Sequence, residues 1–115
     1  MTLRTVIGLI ALLVSSAAQS QAYYTYQSWS ALSEPARAIY LSGAFDSLVT
    51  FASGEQEKRI TAHYFKCIYT AKISGSQLAA NVLNFAKDKP ELHTGSVQAA
   101  LFKYLFATCG EPPTK

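Results

Sequence analysis

Apolar residues along this chain occur first as one compact run and afterwards at helical spacings. Val6 to Val14 ("VIGLIALLV") carries no polar residue. Downstream, Leu78, Val82 and Phe85, with Ala79 and Ala86, recur at intervals of three and four, the period of a helix that buries one face. Val97, Ala100, Leu101, Tyr104, Leu105 and Thr108 repeat that spacing and mark the buried side of a last helix.

Polar punctuation sets the boundaries. Ser33 is placed as an N-cap, with Glu34 in the positively polarised first turn and Pro35 at a position that tolerates it. The helix it opens can run through "ARAIYLSGAFDSLVTFAS" to Gly54. Its apolar residues Ile39, Leu41, Phe45, Leu48, Val49 and Ala52 spread wider than one stripe, so it is expected to be central and touched on more than one side. Glu55 to Ala71 is ambiguous, because "ITAHYFKCIYT" alternates partly like a strand and also sets Ile60, Tyr64, Cys67 and Ile68 on one helical face. Its helical neighbours decide for helix. Tyr23 to Trp29 ("YYTYQSW") has no period and reads as an extended arm whose rings complete the core.

The stretch "KISGSQLAANVL" raises a question of chemistry. Ser74 stands three residues before Gln77, the spacing of a capping box, and Ile73 and Leu78 are placed as its hydrophobic staple. Gly75 then needs no role beyond flexibility in the first turn. Neither GxxxxGK[ST] nor GxSxG is present, so a helix start is preferred to a phosphate loop or a nucleophile elbow. "KDKP" closes that helix at Pro90. Thr94 is expected to cap the last one, with Gly110 and the prolines of "GEPPTK" as its stop. The fold class that follows is all-α, a small bundle of about four helices.

The opening run changes the domain count. Arg4, the apolar run and "SSAAQSQA" make the three parts of an export signal, with cleavage expected after Ala22. The run is shorter than the ~20 residues of a membrane span, so no membrane association is expected after cleavage. Residues 1–22 are therefore read as signal peptide and 23–115 as one small domain. From Tyr23 on, nine Lys and Arg face seven Asp and Glu, scattered rather than clustered, which excludes a nucleic-acid stripe. With half of the residues apolar, a homodimer stays open. Export also lets the two cysteines, Cys67 and Cys109, persist as a disulfide. Neither has a CxxC partner or a second ligand nearby, as a metal site or a reactive thiol would want. Closing a loop of this size stabilises a chain by about 4 kcal/mol in the chain-entropy model.

Few residues offer catalytic chemistry. Asp46, inside "SGAFDSLV", reads either as a general base or ligand contact, or as a carboxylate hydrogen-bonded to a helix end or a tyrosine; the cost of an unpaired buried charge favours the second. His63 and His93 share no HExxH or HxH spacing and are read as structural. No enzyme, no metal and no cofactor is expected.

The ordered set "YLSGAFD" (Tyr40, Gly43, Asp46), Cys67, "SGSQL" (Ser74, Gln77), Val82, Phe85, Pro90 and a final helix ending at Cys109 resembles the periplasmic immunity proteins that neutralise type VI secretion amidase effectors, the Tai-like family. That group is similar in build to the HdeA acid chaperones. The resemblance implies an all-α, disulfide-closed periplasmic protein whose partner is a cell-wall amidase, and an acid-stress chaperone as the alternative. It makes Gly43 a site of close helix packing and Asp46 a polar tether. Expected partner contacts are exposed polar residues near helix ends: Glu55, Glu57, Lys58 and Arg59 in one patch, and Lys87, Asp88 and Lys89 in another.

Overall fold

The computed structural model describes residues 23–114, and the expected signal peptide lies outside the described residues. The elements are α1 (Tyr26–Ser30), α2 (Glu34–Thr50), α3 (Glu55–Thr70), α4 (Gly75–Ala86), a 3-10 turn (Pro90–Leu92) and α5 (Val97–Cys109). The all-α bundle closed by a disulfide is the expected fold, with four long helices and one short one. α2 packs most extensively on α4 and also touches α3 and α5, the central position its wide apolar spread implies. It stops at Thr50, short of Gly54. Within it, Ile39 is an exception to the expected core, being 75% exposed.

Four helices start on a side-chain cap, as helix geometry demands for N–H groups without intrahelical partners. Ser33 accepts from the Ala36 N–H, and Ser74 and Gln77 form the complete capping box. The partner of Gln77 in that box is the Ser74 N–H at 2.9 Å. α3 leaves through a Schellman turn: the Lys72 N–H donates to the Tyr69 carbonyl and the Ile73 N–H reaches back to Ile68, at 3.1 and 3.2 Å. Lys72 carries the left-handed conformation this turn needs, with φ 54°.

Two expectations about the termini are corrected. The aromatic arm is extended only through Thr25; from Tyr26 it is helical, because Thr25 caps the turn by accepting from the Ser28 N–H at 3.1 Å. The last helix is capped by Ser96, not Thr94. Residues 93–97 are taken up by the N-terminal segment: the Tyr26 N–H donates to Gly95, Gln27 to His93, and Val97 to Tyr24, at 3.0 to 3.1 Å. An isolated antiparallel bridge joins Thr25 to Ser96.

Trp29, Leu41, Val82, Val97, Leu101 and Leu105 are fully buried and come from α1, α2, α4 and α5. Trp29 keeps its indole N–H satisfied on the Arg37 carbonyl at 3.2 Å. Tyr40 lies edge-on to Tyr24 with ring centres 4.9 Å apart. Thr108, expected on the buried side of α5, is exposed. Cys67 and Cys109 form the disulfide, which ties the last turn of α5 to the final turns of α3. No described helix is long and apolar enough to cross a membrane.

The end of α4 is closed from three directions. Of its last carbonyls, that of Leu83 accepts from the Tyr26 hydroxyl at 2.6 Å, that of Phe85 from Lys89 Nζ at 2.8 Å, and that of Ala86 from His93 Nε2 at 2.8 Å. The His93 ring stacks on Tyr26 with centres 4.9 Å apart.

Candidate functional site

α3 is amphipathic on two sides. Ile60, Tyr64 and Ile68 face the core, while Phe65 and Tyr69, one turn apart, point away from it and stack at 5.6 Å. They are 44% and 74% exposed. Phe51, just past the end of α2, is 79% exposed. These rings flank two clefts. The first, about 510 Å³, is lined by Leu48, Phe51, Ala52, Ile60 and Phe102, with Glu57 at its edge. The second, about 310 Å³, lies between α2, α3 and α4, with walls of Phe45, Val49, Phe65, Tyr69 and Leu78 and one charged residue, Asp46. Scattered exposed apolar residues are ordinary, whereas these rings are grouped beside two clefts.

Asp46 is exposed and no described cation lies within 4.0 Å of it. It forms no hydrogen bond within the described residues, so the expected tether is absent. Gly43 is not a packing glycine either, since a Cβ there would meet nothing within 4 Å. Close approach belongs to Gly75 instead, whose missing side chain makes room for Ser42 on α2. That corrects the reading of Gly75 as merely flexible.

Of the two expected contact patches, Glu57 alone lines the first cleft, and no hydrogen bond or ion pair links the patches among the described residues. In the first patch Glu55 and Lys58 are exposed, and Arg59 is half-buried. Glu57 reaches back across the α3 start to accept from the Ser53 N–H at 3.0 Å. In the second, Lys87 and Asp88 are exposed, while Lys89 is turned to the end of α4 and lies over the Phe85 ring at 4.2 Å. Lys89 thus caps a helix with its charge, where the helix dipole favours a cation.

His63 and His93 are both held by carbonyl groups. His63 Nε2 lies 3.0 Å from the Cys109 carbonyl and 3.2 Å from that of Gly110, so this nitrogen carries the hydrogen. Among the described residues no three His, Cys, Asp or Glu groups are arranged to hold a metal ion. Burial raises the Tyr64 hydroxyl above its ordinary pKa. Burial also raises that of Tyr26, opposed by the nearby Arg37 and reinforced by Asp88.

Phe51, Phe65, Tyr69 and Phe102 are the site residues that the sequence reading overlooked. A signal was present: Phe65 and Tyr69 form a second apolar stripe on α3, outside the Ile60, Tyr64 and Ile68 face, and a bundle this small has no further helix to cover it. What the fold defines is a disulfide-closed helical domain with two apolar, aromatic clefts, one between α2, α3 and α5 and one between α2, α3 and α4. No protein-family model, curated protein or solved structure matches the chain.

Proposed function

We propose that this chain is an exported, periplasmic immunity protein that binds a peptidoglycan amidase effector and blocks its cleft. The observation that carries the reading is Phe51, held 79% exposed over the cleft of Leu48, Ile60 and Phe102. Ser47, Glu57, Thr61 and Gln98 supply its polar lining, the kind of rim that protein interfaces place around an apolar centre. Aromatic rings, Phe among them, are enriched in the cores of protein interfaces. The resemblance in "YLSGAFD", "SGSQL" and the cysteine pair supplies the class of partner. Inhibition of this kind works by excluding the peptidoglycan strand, so no bond is made or broken by this chain.

The test is calorimetric titration of the oxidised protein from Tyr23 on against a panel of cell-wall amidase effectors at pH 7. One member should bind stoichiometrically and lose activity. Phe51→Glu should weaken that complex at least a hundredfold while leaving the fold's circular dichroism unchanged. A panel without any binding overturns the reading.

The chaperone alternative requires acid to open the fold. All seven carboxylates are exposed, and Asp88 with Lys89 at 3.5 Å is the ion pair found among the described residues. Little native structure therefore depends on carboxylate ionisation, which supports the immunity reading over the acid-activated one.

A further inference from the structure

The second cleft is built for a different kind of occupant. It has the volume of a small-molecule site, at the lower end of the 300–1,000 Å³ typical of such pockets. Its walls are aliphatic and aromatic, and Asp46, Ser42, Ser74 and Tyr69 are the lining residues with polar side chains. Asp46 is the one charged residue lining it, and no Lys, Arg or His of the described residues pairs with it. The Phe65 and Tyr69 rings, 15° from parallel, form one wall. A cation is attracted over the free outer face of an aromatic pair, and a carboxylate attracts one through charge. The first turn of α4, at Ser74 and Gly75, also borders the cleft and its dipole favours negative charge, so the carboxylate and the rings act against that field. Apolar walls around one negative group are complementary to an organic cation with an apolar body.

We propose that the α2, α3 and α4 cleft binds small amphiphilic ammonium compounds, with the alkyl part between Val49, Ile68 and Leu78 and the cationic head between Asp46 and the Phe65 and Tyr69 rings. Ser42 and Ser74 add hydroxyl groups that accept from ammonium N–H donors. The site does not depend on the immunity reading, which rests on the other cleft and on Phe51.

The experiment compares octylammonium, octanol and octanoate, three probes of equal chain length, on the oxidised protein at pH 7. Affinity is read by calorimetry and location by amide chemical shifts. Octylammonium should bind about tenfold tighter than octanol, a difference of about 1.4 kcal/mol, and octanoate weakest. The shifts should centre on residues 45–49, 65–69 and 74–78. Asp46→Asn, a substitution at an exposed position, should bring octylammonium to within threefold of octanol without altering octanol binding. Tyr69→Ala should weaken all three probes and octylammonium most. Equal affinity for the three probes overturns the proposal, as do shifts centred elsewhere or an Asp46→Asn protein with unchanged discrimination. Because no amidase takes part, failure here leaves the immunity reading standing, and failure of that reading leaves this one.

Discussion

Gly75 packs against Ser42, so that a side chain on the α4 partner has to displace the Ser42 hydroxyl. A Cβ at Gly75 would collide with the Ser42 hydroxyl and lie 3.5 Å from its Cβ and 4.0 Å from the Ala38 carbonyl. Alanine is otherwise the better helix former by up to about 1 kcal/mol. Gly75→Ala is therefore expected to be stabilising in a Ser42→Ala background and less stabilising, or destabilising, with Ser42 present. A double-mutant cycle by urea unfolding should return a coupling of about 0.5–1 kcal/mol. Additive effects would show that the two helices do not meet there.

Lys72 bears the cost of a left-handed backbone in the Schellman turn between α3 and α4. For a residue with a Cβ that conformation costs about 1–2 kcal/mol, and glycine adopts it freely, though with more entropy to lose. Lys72→Gly should give a net gain of about 0.5–1 kcal/mol, seen as a thermal midpoint several degrees higher. A lowered midpoint would contradict the turn geometry.

Alkaline pH should destabilise the fold through two tyrosines. Tyr26 and Tyr64 both have raised folded-state pKa values, from burial first. Their contribution is fully present below the ordinary tyrosine value of about 10 and is lost as pH rises through the higher folded values. Tyr64→Phe should flatten this decline with little change at pH 7. Tyr26→Phe should flatten it too, but it should cost about 1–3 kcal/mol at pH 7, because the Leu83 carbonyl loses its donor. The readout is unfolding free energy from pH 7 to 11 for the three proteins.

Reduction of the disulfide should be costly. Cys67 and Cys109 are 42 residues apart, a closure worth about 4 kcal/mol in the chain-entropy model. A Cys67→Ala, Cys109→Ala protein should lose stability on that scale in urea. It should also free the end of α5 from His63, detectable as faster amide exchange in residues 106–110.

Acid should leave the helices in place. With every carboxylate on the surface, the oxidised protein at pH 3 should keep most of its pH 7 far-ultraviolet circular dichroism. A cooperative loss of helix between pH 5 and 3 would restore the acid-chaperone alternative.

Local signals in the chain were readable because local chemistry decides them. Ser33 and the Ser74 and Gln77 pair cap their helices with groups three residues away, so spacing alone identifies them. Of the long-range pairings, the Cys67–Cys109 bond was readable because two cysteines allow one intramolecular partner, while the backbone pairings were not. Thr94 is an adequate cap by composition, yet the backbone on either side of it is engaged by Tyr24, Tyr26 and Gln27, some 70 residues earlier, and Ser96 takes the role. Asp46 was judged by its apolar neighbours in sequence, but a helical position is buried only if another element covers it, and none covers this one. The site shares that difficulty, since Phe51 and Tyr69 look like core residues until the number of helices available to bury them is known.

The pairing of residues 24–27 with residues 93–97 sets an order of events. A chain made from its N-terminus presents Trp29 and the tyrosines around it early, but the helix they pack against is the last to emerge. Cys67 likewise waits for Cys109. The clasp between the first and last segments therefore forms only once both are present, although α2 and α4 can already pack on each other. A truncation within α5 would remove the far half of a clasp rather than trim an edge, leaving the indole of Trp29 and the Cys67 thiol exposed together.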